Sequence, residues 1–212
     1  TTPQAVRPLD RGADIIIHSI TKMLAGHSDV TLGYASSNSL ELRQKIYDYA
    51  VTTGLTPSPF ECWLAERGLA TFEVRFKECQ DTARKLAIWL EKKPNITQVL
   101  YPTTKNHPDI NNSRKLVGNN GCNIVSFRIN GDRTAANVFA KSADHIAFAP
   151  TLGDIGTTLS HPASSSHRGL TPEERKSLGI SEGFFRVSVG LERFESLKEV
   201  FERALKAVQK NV

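Results

Sequence analysis

Three successive β-branched residues close the run Ala13-Asp14-Ile15-Ile16-Ile17, and so short an apolar stretch predicts a buried strand. It gives way to the polar stretch His18 to Lys22, then to the polar-glycine stretch Ala25 to Asp29. Val30 to Ala35 reads as a second strand. Asn38 to Tyr49 reads as a helix with Leu40, Ile46 and Tyr49 among its apolar positions. Gly54 to Pro59, with two prolines, is a loop.

From Phe60 a long helical pattern begins, broken near Gly68. Phe72, Phe76, Cys79, Ala83, Leu86, Ala87 and Leu90 recur at steps of three and four, and Pro94 ends the pattern. A helix of this kind can bridge two domains, so the boundary is placed within it, giving divisions 1–75 and 76–212. Beyond it come the run Gln98-Val99-Leu100-Tyr101, a polar loop through Asn120 and a strand over Asn123 to Ile129. A helix over Arg133 to Ser142 follows, then strands at His145 to Ala149 and Phe184 to Val189. In the closing helix Phe194, Leu197, Val200, Phe201, Ala204, Leu205 and Val208 share one face. Strands alternating with helices predict an α/β protein.

Composition narrows the class. The 212 residues are 39% hydrophobic and 23% charged, as in a globular protein with a real core. No apolar run approaches the ~20 residues of a membrane helix, so no membrane partner is expected. Three cysteines, Cys62, Cys79 and Cys122, are an odd number without C-x-x-C spacing, which argues against a disulfide framework and for a cytoplasmic setting. The net charge of +5 comes from scattered basic residues, without a nucleic-acid-binding spacing, so no nucleic-acid partner is expected either. The histidines are not at zinc spacing: His161 and His167 are separated by Pro162, and His18 and His27 lack a cysteine or carboxylate at the right distance, so no metal is expected.

The chemistry sits at the end of the first strand. Lys22 follows Ser19 and Thr21, whose hydroxyls lie at a strand end, where α/β folds place ligands. An amine beside hydroxyls suits a phosphate-bearing aldehyde that condenses with that amine. A second candidate is Arg186. In an extended run Phe184, Arg186 and Ser188 share one face while Phe185, Val187 and Val189 share the other, and a guanidinium can grip a carboxylate bidentately. The competing reading puts this arginine on the solvent face of an edge strand.

Ser19-Ile20-Thr21-Lys22-Met23-Leu24-Ala25-Gly26-His27-Ser28-Asp29 resembles the lysine motif of the Cys/Met metabolism family of pyridoxal-phosphate (PLP) enzymes. Three further stretches are similar to that family in the same order. They are Ser58-Pro59-Phe60-Glu61 with Arg67-Gly68-Leu69, then Leu152-Gly153-Asp154 with His161-Pro162-Ala163-Ser164, and then Phe185 to Glu192. The resemblance implies the type I (aspartate aminotransferase-like) fold, with 1–75 as the C-terminal part of the PLP-binding large domain and 76–212 as a small α+β domain. It implies PLP held by Lys22, with Ser19 and Thr21 at the phosphate, Arg186 on the substrate α-carboxylate and Thr151 touching substrate or lysine. The implied activity is γ-elimination or γ-replacement on a sulfur-containing or activated homoserine-type amino acid. A β-lyase on the same scaffold and a catalytically silent fragment are the alternatives.

The resemblance also implies a homo-oligomer, a dimer of dimers. It sets the family's ring-pairing aspartate just before Thr1, so the N-terminal half of the same protein is an expected partner. Within the covered region Met23 replaces an aromatic residue, Thr151 a serine, Gly156 a frequent glutamate and Arg193 an acidic residue.

Overall fold

The computed structural model describes residues 2–211, so Thr1 and Val212, the outer limits of the two expected divisions, lie outside the described residues. The chain separates into two compact units, Thr1–Phe76 and Lys77–Val212. The break falls inside one continuous helix.

In the first unit, a short 3-10 turn at Pro8–Arg11 precedes β1 (Ile16–Ser19), which pairs antiparallel with β2 (Gly33–Ser36), Ile17 opposite Ala35 and Ser19 opposite Gly33. Between them lies a single π-helical turn, Ile20–Leu24. The helix α1 (Leu40–Thr52) starts where Ser39 accepts a hydrogen bond from the Leu42 amide, and none of its residues is buried. Helix α2 (Pro59–Ala70) carries Pro59 at its first position, where the missing N–H costs nothing.

Two expectations fail here. The break between helices falls at Thr71 (φ −111°, ψ 2°), and Gly68 lies inside α2. Gly68 is there for closeness and not for interruption: a Cβ at that position would lie 2.4 Å from the Ala25 carbonyl oxygen. The run at Ile15–Ile17 is not buried, since Ile17 is 83% exposed among the described residues. No described element lies over that side chain.

The second unit begins within α3 (Phe72–Leu90) and contains a five-stranded sheet. Its strands are β3 (Ile96–Leu100), β4 (Ile124–Ile129), β5 (Ala147–Phe148), β6 (Thr158–Ser160) and β7 (Phe184–Ser188), arranged β3-β4-β7-β6-β5. All neighbours are antiparallel except β5 and β6. The helices are α4 (Ile110–Val117), α5 (Arg133–Ser142), α6 (Pro172–Ser177) and α7 (Phe194–Asn211).

Alternation builds the core: Val125, Phe127 and Ile129 of β4, and Phe185 and Val187 of β7, are buried beneath α5 and α7. Phe127, Phe139, Phe185 and Phe201 form an aromatic cluster with centroid separations between 4.9 and 5.9 Å, in tilted, edge and stacked arrangements. Helix α5 is fixed at its start by the Asp132 carboxylate, which accepts from the Thr134 and Ala135 amides. The expected polar loop before Asn120 contains α4, a helix of eight residues, none of them buried. Strand β6 is only three residues long, all buried, too short for an alternation to show.

Candidate active site

The candidate residues form two groups, one in each unit. Ser19, Thr21 and Lys22 occupy the end of β1 and the π turn after it. The Ile20 amide (2.9 Å) and the Thr21 amide (3.2 Å) both donate to the Leu32 carbonyl. The Thr21 hydroxyl clasps the same residue, accepting from the Leu32 amide at 2.9 Å and donating to its carbonyl at 3.1 Å. Ser19 is exposed and Lys22 is half-buried.

Lys22 departs from helical geometry (φ −89°, ψ −135°), and the turn closes around it through Ala25 N–H to the Ile20 carbonyl and Gly26 N–H to the Lys22 carbonyl. His18, just before Ser19, stacks on Tyr34 with centroids 5.8 Å apart. Beneath the turn lies Arg75, buried, whose guanidinium donates to the carbonyls of Met23, Leu24 and Gly68. Arg75 entered the sequence reading only as a boundary mark. An arginine amid the apolar positions Phe72, Phe76 and Cys79 was the available signal.

In the second unit, Arg186 sits on β7, the middle strand of five, paired with Ser126 on one side and Ser160 on the other. The edge-strand reading is therefore excluded. Its neighbours Phe185 and Val187 point into the core, as the alternation predicts. The guanidinium donates from Nη2 to the Thr151 carbonyl at 3.1 Å. Its Nε is buried without a hydrogen-bond partner, and no carboxylate lies within ion-pair distance of Arg186 among the described residues. Burial without a counter-charge pushes its pKa below the usual arginine value. Arg186 is therefore a half-buried cation with a donor to spare.

The loop bearing Thr151 is held by residues the sequence reading did not assign. Ser188 Oγ accepts from the Gly153 amide at 2.8 Å and from Asn123 Nδ2 at 3.2 Å. The Glu192 carboxylate accepts from the Thr157 amide at 2.7 Å and from its hydroxyl at 2.6 Å, and that hydroxyl in turn accepts from the Gly190 amide. Polar groups paired in this way hold the backbone of the loop in place. No group of three or more metal-ligating side chains occurs among the described residues.

A sequence model for the Cys/Met metabolism PLP-dependent enzymes matches residues 1–206. The chain belongs to this family. Among curated relatives, it is 37% identical over 207 residues to the cystathionine beta-lyase MetC of Bacillus subtilis, covering 98% of this chain and 53% of the relative. It is likewise 37% identical over 210 residues to the cystathionine gamma-lyase of Saccharomyces cerevisiae, covering 97% of this chain and 52% of that protein.

A solved cystathionine gamma synthase from Xanthomonas oryzae pv. oryzae superposes with a TM-score of 0.93 at 33% identity, covering 100% of this chain and 54% of that one. The expected α/β type I fold is thereby borne out. The chain spans about half the length of the curated relatives it matches.

The residues present fit the family's cofactor. An exposed hydroxyl, Ser19 at the end of β1, and a primary amine, Lys22 on the π turn, lie three positions apart, and backbone hydrogen bonds close that turn. The unpartnered, buried Nε of Arg186 fits a carboxylate oxygen.

Proposed function

We propose that the full protein carries out PLP-dependent γ-elimination or γ-replacement on a small amino acid bearing sulfur or another leaving group at Cγ. The observation that carries this reading is the Lys22 turn at the end of β1 in a chain of this family. PLP, when bound, supplies an electron sink for charge developing at the substrate Cα. Lys22 Nζ holds the cofactor covalently and, once released, takes and returns the Cα proton, work of the kind worth ~10²–10⁴-fold in rate. Ser19 donates its hydroxyl to the cofactor phosphate. The Thr21 hydroxyl can turn its proton from the Leu32 carbonyl to the phosphate while still accepting from the Leu32 amide. Arg186 binds the α-carboxylate through Nε, the donor left without a partner, while Nη2 stays on the Thr151 carbonyl. Thr151 contributes through that carbonyl, which fixes the guanidinium plane.

β-Elimination is the second reading, favoured by the equal similarity to a named β-lyase and a named γ-lyase. Product analysis separates them: 2-oxobutanoate marks γ-elimination, pyruvate β-elimination, and a new thioether replacement. The decisive experiment is Lys22→Ala in the full-length protein, which should abolish the visible absorbance that PLP gives the wild type. A variant that keeps the band would sink the proposal.

We further assign residues 1–75 to the C-terminal part of the PLP-binding domain and 76–212 to the small domain. We place the enzyme in the cytoplasm, which the three cysteines, none in a disulfide, support. Among the described residues no helix is long and apolar enough to cross a membrane. The complete enzyme is proposed to be a homo-oligomer. Exposed Ile17, Tyr47, Tyr49, Phe60 and Trp63, all in the first unit, support a covering partner surface, from the rest of the same protein or a neighbouring copy.

A further inference from the structure

We propose that Arg75 is a positioning residue for the cofactor lysine, and this rests on Lys22 being that lysine. Three pieces of the first unit meet at its guanidinium. Nη1 donates to the Met23 carbonyl at 2.9 Å, and Nη2 donates to the Leu24 carbonyl at 2.9 Å and to Gly68 of α2 at 2.7 Å. Nε donates to Thr71 Oγ1 at 3.0 Å, at the break between α2 and α3. Met23 and Leu24 directly follow Lys22, so the arginine ties the second half of the lysine turn to the start of α3.

The space around this tie is closed. A Cβ on Gly26 would lie 2.1 Å from Arg75 Nη1, and Gly26 has φ +82°, which a side chain would strain as well. A Cβ on Gly68 would lie 2.4 Å from the Ala25 carbonyl oxygen and 2.7 Å from Ala25 Cα. Two glycines thus let the turn and α2 approach to backbone contact, and the planar guanidinium bridges the carbonyls that this approach leaves facing inward. Without the guanidinium the Met23 and Leu24 carbonyls would lose this donor, at the cost of a buried acceptor left unpaired.

The consequence is a function for a residue remote from the reacting atoms. Within the π turn, the Ala25 amide bonds the Ile20 carbonyl and the Gly26 amide the Lys22 carbonyl. Arg75 locks the two residues after Lys22, so that Nζ starts from a fixed Cα when it meets the cofactor. A catalytic group placed by a locked supporting shell acts from a productive geometry more of the time.

Amide hydrogen exchange on the cofactor-free full-length protein tests this, comparing wild type with Arg75→Lys and Arg75→Met. Lysine keeps the charge, but one ammonium cannot replace a planar fork that spans three carbonyls. Both variants should exchange the Ala25 and Gly26 amides about tenfold faster while α7 amides are unchanged. Added PLP should also be captured about tenfold more slowly, read from the growth of the visible band.

A folded Arg75→Lys with unaltered exchange at Ala25 and Gly26 overturns the proposal, and so does faster exchange with an unaltered capture rate. If neither Arg75 variant folds, Thr71→Val, which removes only the acceptor of Nε–H, must speed the same amides roughly threefold; no change there overturns it. Lys22→Ala separates the two readings. If that variant still develops the band with PLP, the lysine assignment fails, while the exchange data at Ala25 and Gly26 remain a judgement on Arg75 alone.

Discussion

Replacing Arg186 by lysine keeps one positive charge on β7 and removes the planar fork. In the wild type Nη2 is committed to the Thr151 carbonyl, and the buried Nε has no partner among the described residues. An unpaired buried donor carries a desolvation penalty of about 1–3 kcal/mol that an arriving carboxylate relieves. Lysine offers a single ammonium in place of Nε and Nη2, so it cannot hold both the Thr151 carbonyl and the carboxylate as the fork does, and one charge-assisted bond is lost. Such a bond is worth about 1.5–3 kcal/mol, equivalent to a fall of about 10- to 150-fold in kcat/KM.

The assay is steady-state kinetics of full-length Arg186→Lys on several α-amino acids, with an amine analogue lacking the carboxylate as control. KM should rise for every amino acid, while the analogue should bind wild type and variant alike. An unchanged KM across the amino acids would place carboxylate binding elsewhere. The cost to folding should be limited to the single hydrogen bond from Nη2 to the Thr151 carbonyl.

Three further outcomes are expected. Phe139→Ala removes a ring in contact with Phe127, Phe185 and Phe201, so denaturant unfolding should show a loss of about 3–5 kcal/mol; a loss below about 1 kcal/mol would mean that the cluster does not carry the core. Gly190→Ala puts a Cβ 2.3 Å from the Ile155 carbonyl oxygen and 2.6 Å from Thr157 N, so it must shift the loop that bears Thr151. KM for amino acids should rise with kcat less affected, and unaltered kinetics would separate that loop from substrate binding.

His161 provides a pH test. The Glu182 carbonyl can only accept, so Nε2 carries the proton and Nδ1 accepts from the Ser164 hydroxyl, and burial pushes the ring's pKa below its ordinary value of 6.5. The unfolded chain then binds the proton more readily, so stability should be constant above pH 6.5 and fall as pH drops below it. Denaturation midpoints between pH 8 and pH 5 should show this slope, and His161→Asn should flatten it; a slope that survives the substitution assigns it to another group.

Much of the second unit was legible in the sequence because its signals are local. The helix over Arg133 to Ser142 has an aspartate cap and an apolar face, and the structure gives it the same limits. The alternation around Arg186 told which face that residue occupies. It could not tell whether the strand is at the edge or the middle, since that depends on Ser126 and Ser160, distant in sequence, pairing on either side. Helix α4 and strand β6 escaped because both are short: α4 has eight residues and buries none of them, and β6 has three, all buried, too few for an alternation to separate two faces.

Lys22, the proposed cofactor lysine, shows where the division lies. The order Ser19, Thr21, Lys22 and the family motifs around it are properties of the chain, and they determined the candidate chemistry before any fold was known. Tertiary structure alone decided that Gly68 serves close approach and not helix ending, that Arg75 ties the turn from beneath, and that Arg186 keeps a buried donor unpaired. Each of these depends on contacts between residues separated by tens of positions, such as Arg75 with Met23 or Arg186 with Thr151. Local pattern carries the residue's own preferences, and long-range contact is settled only when the chain has closed on itself.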